Sequence, residues 1–195
     1  MAYTNLLGLR TELLARGFDY LSPTRANQFL NDSQNEICDH TNWPFLETSA
    51  TGNSPLTIAD LGRIRTVQDN NSLALERVEP DHIIAIGGDL ATTGTPIYYY
   101  VTAGSAVTVY PVTVISLTVR YYKIPTELSA DTDVPTVPSR FRPLIVDKAA
   151  ALAYREDDKQ DLSVAAETKL EENLAKMRAA LCQAQPYILR KGNDY

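Results

Sequence analysis

Histidine, cysteine and methionine are scarce in this chain, at two of each among 195 residues. The first two supply most transition-metal sites and most nucleophile–base pairs, so their scarcity narrows the chemistry open to the protein. Neither His40 nor His82 lies in a nucleophile motif, and the Gly-x-Ser-x-Gly elbow, the phosphate-binding loop and the dinucleotide fingerprint are all missing. Cys38-Asp39-His40 has no second cluster to complete a four-ligand set and reads as a solvated helix end. Asp131-x-Asp133 lacks the Gly and terminal Glu of a calcium loop, which leaves two turn-forming acids. Asp157, Asp158 and Asp161 precede a helical pattern, where capping and the helix dipole explain them. A hydrolase built on Asp131, Asp133 and His82 has no motif behind it. The sequence predicts no catalytic residue, no cofactor and no metal.

Basic residues are also in deficit, with 18 Lys and Arg against 24 Asp and Glu, a net charge of −6 and a pI near 4.9. Gripping nucleic acid through its phosphates requires clustered cations, which this balance argues against. No apolar run approaches the roughly 18 residues of a membrane span, and Met1–Gly17 lacks the basic start and apolar centre of a signal peptide. No membrane partner is expected. Cys38 and Cys182 lie far apart in helical patterns and read as buried hydrophobes of a reducing compartment, neighbours only if the first and last long helices pack together.

What remains is a pattern of packing. Leu6, Leu9, Leu13 and Leu14 share a face of a helix over Thr4–Ala15, with Gly17 as its C-cap. Ser22-Pro23 opens a second helix as N-cap and first helical residue, with the stripe Ala26, Phe29, Leu30, Ser33 and Ile37. This pair resembles a helix-turn-helix, but residues 1–46 carry three basic and five acidic side chains, and Asp32, Glu36 and Asp39 would face the phosphates. Trp43, the one tryptophan, is expected as a core anchor beneath the segment that follows.

From Glu47 to Lys123 the period drops to two. The predicted strands are Glu47–Thr51, Arg63–Gln68, Leu73–Arg77, Thr95–Val101, Ala106–Tyr110 and Ile115–Tyr122, with a short helix near Pro80–Ala85. Tyr98, Tyr99, Tyr100, Tyr110, Tyr121 and Tyr122 must then face both sides of one sheet, some exposed or covered by a neighbouring subunit. Pro125, Pro135 and Pro138 mark an extended joint, and Ser139 is the candidate N-cap of the next helix. Phe141–Glu156 and Leu162–Cys182 read as the last two helices. The latter carries the stripe Leu162, Ala166, Leu170, Leu174, Met177 and Leu181.

The fold class expected is therefore α+β. It is a bundle of about four helices, an N-terminal and a C-terminal pair, with an inserted small antiparallel sheet or barrel. By residue the divisions are 1–46 and 139–182 for the two halves of the bundle, 47–124 for the β module, 125–138 for the joint and 183–195 for an extended C-terminal arm. Ala150 and Ala153 on the third helix permit close approach and are expected at a subunit interface.

Asn42-Trp43-Pro44-Phe45, Pro96 with Tyr98–Tyr100, Val119-Arg120-Tyr121-Tyr122 with Pro125, Val134-Pro135 with Pro138, and Phe141 with Leu144, Ile145 and Ala149 occur in a telling order. That order resembles the head-to-tail adaptor (connector, or gatekeeper-ring) proteins of tailed bacteriophages, including the tail tubular form of short-tailed phages. The resemblance implies a homo-oligomeric ring, commonly a dodecamer, between the portal and a tail or nozzle protein. It implies a virion protein assembled in the host cytoplasm, whose channel passes DNA without sequence-specific binding. It also implies that the C-terminal arm docks on the portal, through Pro186, Tyr187, Ile188, Leu189, Arg190, Lys191 and Tyr195. The alternative reading is a carbohydrate- or receptor-binding β module of a virion or surface protein, which would need an exposed aromatic platform.

Overall fold

A computed structural model describes residues 3–85 and 88–182. The chain divides into two compact units, Leu46–Thr126 and the chain on either side of it.

In the first unit α1 (Leu6–Leu13) is capped by Asn5, whose side-chain oxygen accepts from Gly8 N–H at 3.0 Å. It ends in a widened turn, Leu14–Phe18, closed by Gly17 at φ 97°, a left-handed conformation that a Cβ would strain. α2 (Pro23–Asp39) starts at Ser22, whose hydroxyl accepts from Arg25 N–H, and all five residues of its predicted stripe are buried. α4 (Pro143–Glu156) packs against α1, α2 and α5 (Gln160–Leu181). A helix surrounded in this way must be apolar on most of its circumference, and Leu144, Ile145, Val146, Ala149, Ala150, Ala151 and Ala153 are all buried. Ser163 is buried too, its hydroxyl donating to Ala151 O at 3.1 Å where α5 crosses α4.

The segment between Glu127 and Pro138 has no strand partner, yet its backbone groups are bonded. Asn31 in α2 accepts from Leu128 N–H at 2.8 Å and donates to Leu128 O at 2.9 Å. Gln34, fully buried, accepts from Thr136 N–H at 2.9 Å. The first N–H groups of α1, which have no acceptor within their helix, donate instead to the segment: Leu6 to Asp133 O at 2.9 Å and Leu7 to Asp131 O at 3.1 Å. Arg142 donates to Val137 O at 3.1 Å and to Tyr3 O and Thr4 O at 3.2 and 3.0 Å.

The second unit is a seven-stranded sheet in the order β1-β7-β3-β4-β5-β6-β2. Its strands are β1 (Glu47–Asn53), β2 (Leu56–Thr57), β3 (Leu61–Gln68), β4 (Ala74–Arg77), β5 (Tyr98–Thr102), β6 (Ala106–Tyr110) and β7 (Ser116–Lys123). The two ends of that order are joined by the Ser54-Pro55 turn, so the sheet is barrel-like and nearly closed. Ser54 stitches the turn in place, donating N–H to Ile115 O at 2.9 Å and accepting from Val109 N–H at 3.2 Å. Leu117, Val119 and Tyr121 alternate inward along β7 to meet Tyr99, Val107 and Val109. In β3 the inward residues Leu61, Ile64 and Val67 fall three apart, because an irregularity of register intervenes after Leu61 and again after Ile64. Gly62 sits at the first, where a Cβ would lie 2.7 Å from Tyr122 O.

These observations correct the expected balance of a four-helix bundle with a small inserted sheet. There are five helices among the described residues, one of them, α3 (Pro80–Ala85), inside the sheet unit, and that unit has its own core. The sheet is not wholly antiparallel either. β4 and β5 pair parallel, which requires a crossover, and the chain holding α3 supplies it. Ser139 starts a 3₁₀ turn, Ser139–Phe141, without a capping bond, and the regular helix begins at Pro143. Trp43, expected beneath the β module, belongs to the helical unit: its indole N–H donates to Ile37 O at 2.6 Å and its ring stacks on Phe45. Replacing Asn31 with Ala leaves both groups of buried Leu128 unpaired. Urea unfolding is expected to register a loss of roughly 1–3 kcal/mol, against less than about 0.5 for exposed Asn35→Ala.

Candidate interaction surfaces

α2 and α4 run antiparallel, as their ion pairs show: Arg25 near the start of α2 meets Glu156 at the end of α4, and Glu36 meets Lys148 at 2.5 Å. Opposite its buried stripe, α2 presents Asp32, Asn35, Glu36 and Asp39. Leu152, Arg155 and Glu156 of α4 form the other wall of an open groove of about 530 Å³, floored by Phe29 and Leu152. The Arg25 guanidinium lies 4.5 Å from the Phe29 ring centroid and closes one end. A recognition helix with this acidic face would repel phosphates, which removes the helix-turn-helix reading on local charge as well as on net charge.

The candidate chemical residues are occupied by structural bonds. Asp133 accepts from the N–H groups of Ser129 and Ala130, both at 2.8 Å, and these bonds hold its carboxyl below the usual range. Asp131 pairs with Arg10 at 2.9 Å. His82 is in α3, in the other unit. Asp157 accepts from the Tyr20 hydroxyl and from Lys159, which lowers its pKa. His40 lies against Arg178 at 2.9 Å, with Glu171 at 3.6 Å. Among the described residues no group of three or more His, Cys, Asp or Glu is placed to hold a metal, and no helix is long and apolar enough to cross a membrane.

Ala150 and Ala153, read from the sequence as interface residues, are 6% and 1% exposed in the subunit. The close approach they permit is between α4 and helices of its own unit. The arm residues Pro186, Tyr187, Ile188, Leu189, Arg190, Lys191 and Tyr195 lie outside the described residues.

The exposed aromatic platform that carbohydrate binding would use is not formed by the six sheet tyrosines. Tyr99, Tyr100 and Tyr121 are buried and Tyr98, Tyr110 and Tyr122 are half-buried. Tyr121 donates to Asp60 at 2.7 Å, and burial with that bond pushes its pKa up to about 12. Among the described residues the exposed large hydrophobics are mostly aliphatic: Leu73, Ile84, Ile97, Val114 and Ile124 in the sheet unit, and Leu7, Val134, Leu162 and Val164 in the helical unit, which also exposes the single aromatic Tyr20; Leu162 and Val164 on α5 are 50% and 59% exposed. Leu162 belonged to the predicted stripe and faces outward instead. Val164 lay off that stripe, and this displacement was its only signal in the sequence.

Both cysteines are free; Cys38 is buried and Cys182 half-buried. Burial, with the neighbouring Asp39 charge, pushes the Cys38 thiol up to about 12, so it stays protonated and inert at neutral pH. A thiol reagent at pH 8 is expected to titrate one cysteine, Cys182, in the native protein and both after unfolding. Two fast thiols in the native state would contradict the burial of Cys38.

A family model described as SU10 adaptor protein matches residues 1–188. No curated protein matches the chain. The match takes in both units, and the chain belongs to the SU10 adaptor protein family, a phage head-to-tail adaptor family.

Proposed function

We propose that this adaptor subunit assembles with copies of itself into a ring at the head–tail junction of a virion, joining the portal to a tail or nozzle protein. The observation that carries the reading is the family match over residues 1–188. A ring needs two different surface patches that meet between neighbours. The exposed aliphatic residues Leu7 and Val134, and Val164 on α5, supply two such patches on the helical unit. Each side chain is about half exposed, so burying the rest of it contributes roughly 1–1.5 kcal/mol before the costs of association are subtracted. A copy number of twelve follows from what is common among head-to-tail adaptors.

DNA passes through the ring and is not read, and the acidic balance keeps phosphates from adhering to the wall. Residues 186–195, apolar and then basic, dock on the portal; extended, ten residues reach about 33–36 Å. The protein has a structural and not a catalytic role, and assembly takes place in the host cytoplasm.

Mass measurement on the purified protein, alone and with portal, tests this reading. Val164→Arg is expected to prevent ring formation with circular dichroism and melting temperature unchanged, because the side chain is exposed in the subunit. Ala153→Arg would disrupt the core and so test folding instead. Deleting residues 186–195 is expected to leave folding intact and abolish joining to portal-bearing heads. A normal ring in Val164→Arg removes α5 from the interface, and normal joining by the truncated protein removes the arm as the anchor.

A further inference from the structure

One outer face of the sheet unit is cationic in an acidic protein. Along β7 Leu117, Val119 and Tyr121 point inward, so Thr118, Arg120 and Tyr122 point outward. Residues directly opposite in neighbouring strands share a face. Arg120 therefore lies between Ser49 of β1 and Thr66 of β3, and Tyr122 between Glu47 and Arg63. Arg65, at an irregularity of β3, pairs with Glu47 and so reaches across β7 on the same side. Arg63, Arg65 and Arg120 thus share this face with one carboxylate, and all three are exposed. Among the described residues Arg120 enters no ion pair.

The same chain carries a complementary surface. Asp32, Glu36 and Asp39 follow one another at spacings of four and three along α2, which places them on one face, and all are exposed. Lys148 holds Glu36, whereas Asp32 and Asp39 enter no ion pair among the described residues. Their positions lie about 10 Å apart along the helix axis. Arg120 and Arg63 stand on adjacent strands, offset by two residues, which puts their backbones about 8 Å apart. Their long side chains cover the difference. Nucleic acid is the other polyanion such a face could meet, but a net charge of −6 repels it. The exposed carboxylates of a second copy are therefore the better match.

We infer that the outer β1–β7–β3 face of one copy docks on the acidic face of α2 in a second copy, with Arg120 and its flanking arginines against Asp32 and Asp39. The two patches differ, so the contact is heterologous: each copy gives one patch to each of two neighbours, which is what closes a ring. The inference rests on the ring reading and deepens it. The aliphatic patches supply adhesion, and this pair supplies register, because complementary charge selects orientation more than it adds affinity.

Two full-length variants test it, Arg120→Glu and the pair Asp32→Lys with Asp39→Lys, all at exposed side chains. Circular dichroism and melting temperature check folding. Either variant alone sets like charges together at every contact. The concentration for half-assembly, read by mass measurement, is then expected to rise on the order of tenfold. In an equal mixture the reversed sheet face of the first variant meets the lysines of the second, and the native face of the second meets the native acids of the first. Assembly should return to within about twofold of wild type, which a merely structural role for these residues would not produce. Where a reversed protein folds poorly, Arg120→Gln replaces it, with an expected rise of about threefold. Normal assembly by the folded Arg120 variant, or no recovery in the mixture, overturns the inference and leaves the ring standing. A wild type that stays monomeric at every concentration overturns both. Duplex DNA shifted in a gel by the wild type and not by Arg120→Glu would assign the face to phosphates and overturn the inference as well.

Discussion

The helical unit depends on how an extended, proline-marked backbone is satisfied. Between Glu127 and Pro138 the chain makes no strand, yet Leu128 and Val137 are buried, and buried N–H and C=O groups without partners cost more than most contacts return. The partners come from three directions. Asn31 and Gln34 reach out of α2, the unpaired first N–H groups of α1 point at Asp131 and Asp133 carbonyls, and Arg142 gathers carbonyls from the joint and from Tyr3 and Thr4. One set of bonds therefore settles the N-terminus of α1, the path of the joint and the entry to α4. Because α4 packs against three helices, an error in the joint would propagate to the entire unit.

The sheet unit solves a different problem, that of a sheet with two edges. The Ser54 turn brings the outermost strands together in sequence and ties them to Ile115 and Val109, while irregularities in β3 let a strand with inward residues three apart follow the curve. Tyr99 and Tyr121 fill the interior, so tyrosine here serves mass and a hydrogen-bonding tip.

α2 and β7 were legible because each obeys one rule along its length: a capped stripe at three and four, and a strict alternation. β2 was not, since two residues carry no period, and β3 was not fully, since its irregularities break the period that identifies a strand. The parallel pairing of β4 and β5 leaves no local trace. Asn31 and Gln34 read as ordinary polar residues, because their hydrogen-bond partners are about a hundred positions away in the chain. The alanines of α4 were seen as licences for close approach, but a stripe cannot say whether the approaching helix belongs to the same subunit. The family was recognisable from an order of packing features, since no chemical motif exists to carry it. The surfaces proposed for assembly are visible only as what folding leaves over, Val164 among them.

Native-state amide hydrogen exchange resolved at Leu128 and Thr136 tests the central claim most directly. If Asn31 and Gln34 hold the joint, both amides exchange as slowly as those in the middle of α2, and all are released together on global unfolding. Exchange of Leu128 and Thr136 at the rate of an open loop, with α2 still protected, would contradict it.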